Sequence, residues 1–279
     1  MPSLSELKMN TCSIQKTGAG RTLTAVIAGI LIFGFLFFIT IPLAALFTRV
    51  TPADFVTAIM SPAALDALRL SAVTASISTV IVVILGTPLA YVNARVAYRG
   101  RNIVDTLTDL PIVLPPTVAG LALLLAFGRN GLVGQSLGIF GIYLPFTTLA
   151  VIISQIFVAS PFYIRQARSS FEAVDRDYES ASRTLGEGPA GTFFRITLPI
   201  AASALLSGII MTFARALGEF GATLMFAGNF QGTTQTMPLA IYTTMQSDMN
   251  VAVALAIVLV VFSFSVILTV KYISGRGES

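Results

Sequence analysis

Six long apolar runs, separated by short polar segments, dominate the sequence. Residues 22–48 carry no charge, and further apolar runs cover residues 70–94, 110–128, 145–164, 200–226 and 251–272. A helix of about 20 residues spans the roughly 30 Å hydrocarbon core of a bilayer. The pattern therefore predicts an all-α integral membrane protein with six transmembrane helices.

Prolines interrupt the third run near its start. The run opens with Pro111, and Pro115 and Pro116 follow four and five residues later. Proline removes a backbone donor and clashes with the preceding turn, so we expect an irregular or kinked helix here. Irregular backbone at membrane depth requires protein or a water-lined cavity around it. Pro115 and Pro116 are therefore candidates for lining a translocation path.

The longest cluster of charged residues lies between the fourth and fifth runs, at residues 171–199. Its apolar residues recur at steps of three and four, as on one face of a helix: Phe171, Val174, Tyr178, Ala181 and Leu185. On the polar face, Glu179 precedes Arg183 by four residues, the favourable order for a helical ion pair. Gly186 is suited to end this amphipathic helix. A loop between membrane spans has little core of its own, so the apolar face predicts a partner.

Composition supports a membrane protein and removes most enzyme chemistry. The chain is 55% hydrophobic and 11% charged, too apolar for an ordinary soluble domain. It has no histidine and one cysteine, Cys12, which excludes a His-ligated metal centre, a His-based triad and an intrachain disulfide. The basic residues are scattered between apolar runs, so no basic face for nucleic acid can be assembled. We expect no catalytic residue, no metal site and no nucleic-acid partner.

The distribution of Lys and Arg predicts the orientation. With a cytosolic N-terminus, thirteen basic residues lie in cytosolic segments and three, Arg49, Arg69 and Arg129, lie outside. Both termini are then cytosolic in a multi-pass protein of the inner (cytoplasmic) membrane. We expect residues 1–21 and 274–279 to be cytosolic tails of a single transmembrane domain, 22–273. Residues 171–199 become a cytosolic loop.

Residues 179–199, ESASRTLGEGPAGTFFRITLP, resemble the EAA loop of ABC importer permeases. The spacing of that motif is kept at Gly186, Ile196, Leu198 and Pro199. The E-A-A positions hold Ser180, Ala181 and Ser182, with the acid one step earlier at Glu179. The resemblance implies a short coupling helix that sits in a groove of an ATP-binding subunit. It implicates six residues in coupling: Glu179, Ala181, Arg183, Leu185, Gly186 and Pro199.

Two further segments resemble oxyanion permeases. They are residues 109–128, DLPIVLPPTVAGLALLLAFG, and residues 213–229, FARALGEFGATLMFAGN, the latter most like molybdate and tungstate permeases. Sulfate and thiosulfate permeases carry similar segments and stay as the alternative. The resemblance implies the fold of a type I ABC importer permease. Its implied partners are a second copy of the chain, two ABC ATP-binding subunits, an extracytoplasmic substrate-binding protein and membrane lipid.

The chain has no phosphate-binding loop of its own. No G-x-x-x-x-G-K-[ST] motif occurs, and the three lysines, Lys8, Lys16 and Lys271, lie outside any such context. We therefore expect no cofactor in this chain, with ATP and Mg²⁺ on the partner ATPase. An ion-coupled secondary transporter is the alternative from another class, and Glu219 would be its ion site.

Arg215 and Glu219 are the only charges well inside an apolar run. A charge at the bilayer centre costs at least about 2.5 to 3.5 kcal/mol, so such residues face the bundle interior or a wet cavity and have partners. Four positions apart, the two share a helix face and can pair. Two roles stay open. Either Arg215 attracts a passing oxyanion while Glu219 limits its binding, or the two form a structural ion pair.

Smaller features support two more hypotheses. Asp105 and Asp109 are expected to be solvated acids at the start of the third span, where they complement the helix dipole. Gly208, Gly218 and Gly221 in the fifth run are compatible with close helix approach or with a flexible gate.

Overall fold

The computed structural model describes the backbone of residues 18–275 and the side-chain surroundings of residues 25–272, except 54 and 271. Within residues 18–275 every regular element is a helix. The chain divides into two units, residues 1–49 and 50–279. The described part of the first unit is helix α1 (Gly18–Thr48), which agrees with the predicted first span. The predicted N-terminal tail lies largely outside the described residues.

The second unit contains the remaining helices. In chain order they are α2 (Pro52–Ile59), α3 (Pro62–Arg95), α4 (Arg101–Val113), α5 (Pro116–Phe127), α6 (Gly134–Ile139), α7 (Thr148–Ala173), α8 (Arg176–Thr184), α9 (Pro189–Thr192), a π-helical segment (Phe193–Thr197), α10 (Leu198–Leu217), α11 (Gly221–Ala227), α12 (Met237–Met245) and α13 (Met249–Gly275).

Among the described residues, the helical segments that are long and apolar enough to cross a membrane number five: Ala25–Thr48, Pro62–Arg95, Thr148–Ala173, Pro189–Leu217 and Met249–Val270. The number is six if α4 and α5, which are bent by 117° at their junction, count as one broken span. The kink predicted from the prolines is confirmed. Its cause is local, because a residue before proline avoids helical backbone, and Leu114 is extended (φ −68°, ψ 131°).

The helices differ from the pattern of six apolar runs in three places. The glycine-rich segment 130–143 contains α6, and the polar segment 229–250 contains α12. The fifth span was predicted to run to about residue 226, but it ends at Leu217 and α11 follows after a short non-helical turn. An apolar run alone does not reveal this break, since both helices lie within the same run.

Helix α7 is the centre of the second unit and packs against α3 and α10. Its neighbours meet it with small side chains, which allow close approach between helices in a membrane. The Gln155 side chain is buried between two α3 hydroxyls: its Nε2 donates to Thr74 Oγ1 (3.1 Å), and its Oε1 accepts from Ser78 Oγ (2.9 Å). Nearer the end of α7, Tyr163 and Phe171 belong to the apolar core.

Candidate functional site

The sequence predicted one amphipathic helix from Phe171 to Leu185, but the structure divides these residues between the end of α7 and a separate helix, α8. Helix α7 ends at Ala173, and Val174 is extended (φ −73°, ψ 124°) before α8 begins. Asp175 is the N-cap of α8, and its carboxylate accepts the backbone N–H of Asp177 at 3.0 Å. Such a cap stabilises a new helix start by satisfying an otherwise unpaired donor. The chain therefore turns at residues 174 and 175 and starts a separate helix.

This turn divides the predicted apolar face between two environments. Phe171 and Val174 are buried in the core beside α3 and α10. Tyr178 and Leu185 are exposed, Leu185 to 86%. With Ala181 they border a shallow, largely apolar groove of about 310 Å³. An exposed apolar surface on a short polar helix is typical of a protein contact.

Glu179 faces the interior and not a partner. Its Oε1 lies 3.0 Å from Nε and 2.9 Å from Nη2 of Arg95, and it accepts a hydrogen bond from Thr197 Oγ1 at 2.8 Å. The Arg95 Nη2 also donates to the carbonyl of Val174 at 2.9 Å. Both side chains of the ion pair are only 9% exposed. The structure thus pairs Glu179 with Arg95, in place of the predicted pair with Arg183.

A second buried contact fixes α8 against the residues that follow it. The hydroxyls of Ser182 and Thr192 are 3.2 Å apart, and both side chains are buried. Together with the hydrogen bond from Thr197, this contact attaches α8 to α9 and to the π-helical segment. Residues 175–199, which we call the coupling loop after their predicted role, are therefore a folded unit and not a flexible connection.

The remaining predicted coupling residues lie on the surface of this loop. Ala181, Arg183, Leu185 and Gly186 are exposed along or just after α8, and Pro199 is exposed in the first turn of α10. Gly186 has a left-handed backbone (φ +95°), which only glycine adopts without strain. Its N–H donates to the Arg183 carbonyl at 3.0 Å, which closes the end of α8.

Four residues of this arrangement were missed from the sequence: Arg95, Ser182 as a buried residue, Thr192 and Thr197. Arg95 is 84 positions from Glu179. In the sequence, Arg95 was interpreted only as one of the basic residues that mark the cytosolic side of the membrane. A single sequence contains no signal that links Arg95 to Glu179. The pairing exists because α3 and the start of α8 meet beside α7.

The second group of predicted residues lies where the turn between α10 and α11 meets the bend between α4 and α5. Arg215 Nη2 is 2.8 Å from Glu219 Oε2, so the predicted pairing is confirmed. Glu219 is 1% exposed and Arg215 is 29% exposed. The other carboxylate oxygen, Oε1, accepts the backbone N–H of Ala222 at 2.9 Å, in the first turn of α11. Among the described residues, no donor meets Oε2 with the angle of a hydrogen bond, so its contact with Arg215 is an ion pair.

Arg215 and Pro116 line the same small cavity of about 130 Å³, with Pro111, Leu114 and Phe162 among its other walls. Pro115 is the N-cap of α5. The start of α11 packs closely on Pro116, because a Cβ atom at Gly221 would lie 2.5 Å from the Pro116 Cβ. The bend between α4 and α5 therefore adjoins the turn between α10 and α11.

The glycines of the fifth run differ in their surroundings. A Cβ at Gly208 would lie 3.0 Å from the Gln166 Cβ, whereas at Gly218 the nearest atom would be 3.6 Å away. Close helix approach is thus the explanation at Gly221 and Gly208. A Cβ at Gly218 would make only an ordinary van der Waals contact, so packing does not require glycine there.

The acids predicted at a helix start, Asp105 and Asp109, lie beyond the first turn of α4; they stay partly exposed to solvent, and each is paired with an arginine of α7. Asp105 Oδ2 is 2.6 Å from Arg168 Nη1, and both oxygens of Asp109 accept hydrogen bonds from Arg165 at 2.6 and 2.8 Å. Glu172 lies 3.0 Å from Arg101. These pairs attach α4 to the last turns of α7, near the coupling loop. Arg165 and Arg168 of α7, like Arg95, had been interpreted in the sequence only as basic residues that mark the cytosolic side of the membrane.

Comparison with known proteins identifies the family. Residues 82–276 match the binding-protein-dependent transport system inner membrane component. The molybdenum transport system permease protein ModB of Mycobacterium tuberculosis (strain ATCC 25618 / H37Rv) is 44% identical over 233 residues, 84% of this chain and 88% of that protein. The probable transport system permease protein NifC of Clostridium pasteurianum is 45% identical over 203 residues, 72% of this chain and 71% of that protein.

Solved structures agree with this result at the level of the fold. A bacterial ABC transporter involved in the import of the acidic polysaccharide alginate superposes with a TM-score of 0.74 at 18% identity, covering 92% of this chain and 96% of that one. The MetNI methionine ABC transporter in an inward-facing conformation gives a TM-score of 0.58 at 18% identity, covering 78% and 97%. The fold is that of a type I ABC importer permease, as predicted, and the chain belongs to the family of inner membrane components of binding-protein-dependent transport systems.

Proposed function

We propose that this chain is the permease subunit of an ATP-driven importer that moves an oxyanion, with molybdate or tungstate as the favoured cargo, into the cytoplasm. The observation that carries this proposal is the 44% identity to a molybdenum transport permease across 84% of the chain. The two segments that resemble oxyanion permeases, 109–128 and 213–229, contain the two breaks beside Arg215. Sulfate or thiosulfate is the second candidate cargo, because permeases for those anions carry similar segments.

The proposed assembly contains two copies of this chain, two ABC ATP-binding subunits and an external binding protein that delivers the anion. A second copy is needed because the sequence has no internal repeat from which one chain could build a symmetric pathway. The missing phosphate-binding loop supports a separate ATPase, which would hold ATP and Mg²⁺. The excess of basic residues in the segments beside α8 supports cytosolic termini and an inner-membrane location.

The proposed coupling contact is the exposed face of α8. Tyr178, Ala181 and Leu185 supply an apolar surface, and Arg183 and Gly186 lie beside it. Glu179 acts here as a positioning residue, because its carboxylate is buried against Arg95. When the ATPase subunits close, a push on α8 is transmitted to α3 through that ion pair and to α10 through Thr197. Rigid-body movement of the spans then alternates the access to the pathway.

The proposed roles of Arg215 and Glu219 follow from their different exposure. Glu219 is buried and caps α11, so it acts structurally. Arg215 is partly exposed at the cavity beside Pro116 and is the cation that a passing oxyanion would meet. An apolar lining would offer the anion no compensation for lost water, whereas a guanidinium does.

Uptake into proteoliposomes tests the function. The permease is reconstituted with its ATPase and binding protein, and labelled molybdate uptake is measured against unlabelled molybdate, tungstate and sulfate. We expect ATP-dependent uptake that tungstate suppresses and sulfate does not. Suppression by sulfate at equal concentration would assign the second cargo. Uptake without the ATPase, driven by an ion gradient, would contradict the importer assignment.

A further inference from the structure

The connection between α5 and α7 presents large apolar side chains away from the helical bundle. Leu132, Ile139 and Phe140 are 89%, 83% and 78% exposed. Such a cluster in water would be an unusual feature of a protein surface and indicates a surface covered by something apolar.

This connection is folded, so the three side chains cannot simply turn inward. Its backbone bonds back to the end of α5: the N–H of Leu132 donates to the Leu125 carbonyl (3.2 Å), and that of Val133 donates to the Ala126 carbonyl (2.8 Å). A Cβ at Gly134 would lie 1.7 Å from the Gly128 carbonyl oxygen. The two backbone segments therefore pass so close together that only glycine fits at position 134.

The connection lies at the membrane surface opposite the coupling loop. It precedes α7, whose 26 residues measure about 39 Å, and the coupling loop follows the other end of that helix. The connection joins α5, the second half of the broken span, to α7, so its first and last residues lie at the membrane surface.

The charge pattern of this region favours lipid as the covering partner. No charged residue occurs from 130 to 164, and Arg129 stands at the start of the connection. The Arg129 guanidinium lies 4.9 Å from the centre of the Tyr143 ring, and among the described residues no carboxylate pairs with it. Aromatic residues and arginine are typical of the level of the lipid headgroups, where the ring and the charge are both accommodated.

We propose that residues 129–143 form an interfacial anchor in the bilayer leaflet opposite the coupling loop. Leu132, Ile139 and Phe140 insert at the boundary between headgroups and acyl chains, and Arg129 interacts with lipid phosphate. The anchor holds the outer end of α5, and with it the end of the broken span, at a constant depth. This inference is independent of the cargo.

Tryptophan fluorescence tests the anchor directly, because the sequence contains no tryptophan. Phe140→Trp is reconstituted with its ATPase in phosphatidylcholine and phosphatidylglycerol vesicles, with and without bromine on the acyl chains near the headgroups. The matched control is Gln231→Trp, an exposed position in the turn after α11. We expect blue-shifted emission at position 140 and a severalfold greater loss of emission to brominated lipid than at position 231.

Two results would overturn the proposal. Solvent-like emission at position 140 that aqueous acrylamide quenches would mean that the surface faces water, as a docking site for the binding protein would. Blue-shifted emission that brominated lipid does not quench would mean that another protein surface, such as a second copy of the chain, covers it.

The role of Arg129 is tested by Arg129→Gln in the Phe140→Trp background. We expect weaker quenching by brominated phosphatidylglycerol, and unchanged quenching would exclude that contact.

Discussion

Glu179 and Arg95 form a buried ion pair, with 2.9 Å between Oε1 and Nη2, that joins the coupling helix to the end of α3. The resemblance to the EAA loop had suggested this acid as a contact for the ATPase. The structure turns it inward instead and leaves Ala181, Arg183 and Leu185 on the surface. A short helix with so little core of its own depends on such a contact to keep its position.

Loss of this pair should loosen the coupling helix. Glu179→Ala leaves the Arg95 charge buried without its partner, and breaking a buried pair in this way costs about 3 to 5 kcal/mol. We expect a lower unfolding temperature in detergent and ATP hydrolysis that no longer drives uptake. The control is Glu179→Leu with Arg95→Met, which removes both charges and should recover most of the stability. A Glu179→Ala permease as stable as the parent would contradict the role.

Gly186 should tolerate substitution poorly because of its backbone and not because of crowding. Its φ is +95°, and left-handed backbone costs about 1 to 2 kcal/mol for other residues. We expect Gly186→Ala and Gly186→Asp to weaken binding of the ATPase, measured by co-purification and by coupled ATP hydrolysis. Gly188→Ala is the matched control, since Gly188 has a φ of −76° and open space around it. Equal binding by the Gly186 and Gly188 variants would argue against this explanation.

Gly221→Ala should disturb the contact between the start of α11 and the bend between α4 and α5. The added methyl would lie 2.5 Å from the Pro116 Cβ, and overpacking of this kind costs about 1 to 3 kcal/mol. We expect lower thermal stability and reduced uptake. Gly218→Ala adds the same methyl three positions earlier, where the nearest atom is 3.6 Å away, and should be nearly neutral. If the two variants behave alike, close packing on Pro116 is not what requires glycine at position 221.

The charge of Arg215 should matter beyond its ion pair. In the double variant Arg215→Gln with Glu219→Gln, no uncompensated charge remains and an amide oxygen can still accept the N–H of Ala222. We expect this protein to assemble with its ATPase and to lose most oxyanion uptake. The single variant Glu219→Gln, which keeps the cation, should retain more uptake. Full uptake by the double variant would assign the pair a structural role alone.

The sequence by itself determined the membrane-spanning helices, because hydrocarbon offers no hydrogen-bond partners and a chain of apolar runs must satisfy its backbone within helices. The same local signals located the kink at Pro115 and Pro116 and the glycine that ends the coupling helix. The resemblance of residues 179–199 and 213–229 to known permeases then indicated the family, which the comparisons confirmed.

Only the tertiary structure decided which polar groups meet. Arg95 reaches Glu179 across 84 residues, Arg168 reaches Asp105, and Gln155 reaches Thr74 and Ser78, each through the packing of α7 against its neighbours. The break after Ala173 likewise moved Phe171 into the core and left Leu185 outside, although both fit one helical face in the sequence. Periodicity specifies the face of a helix, but the partner of a buried charge depends on how the helices pack.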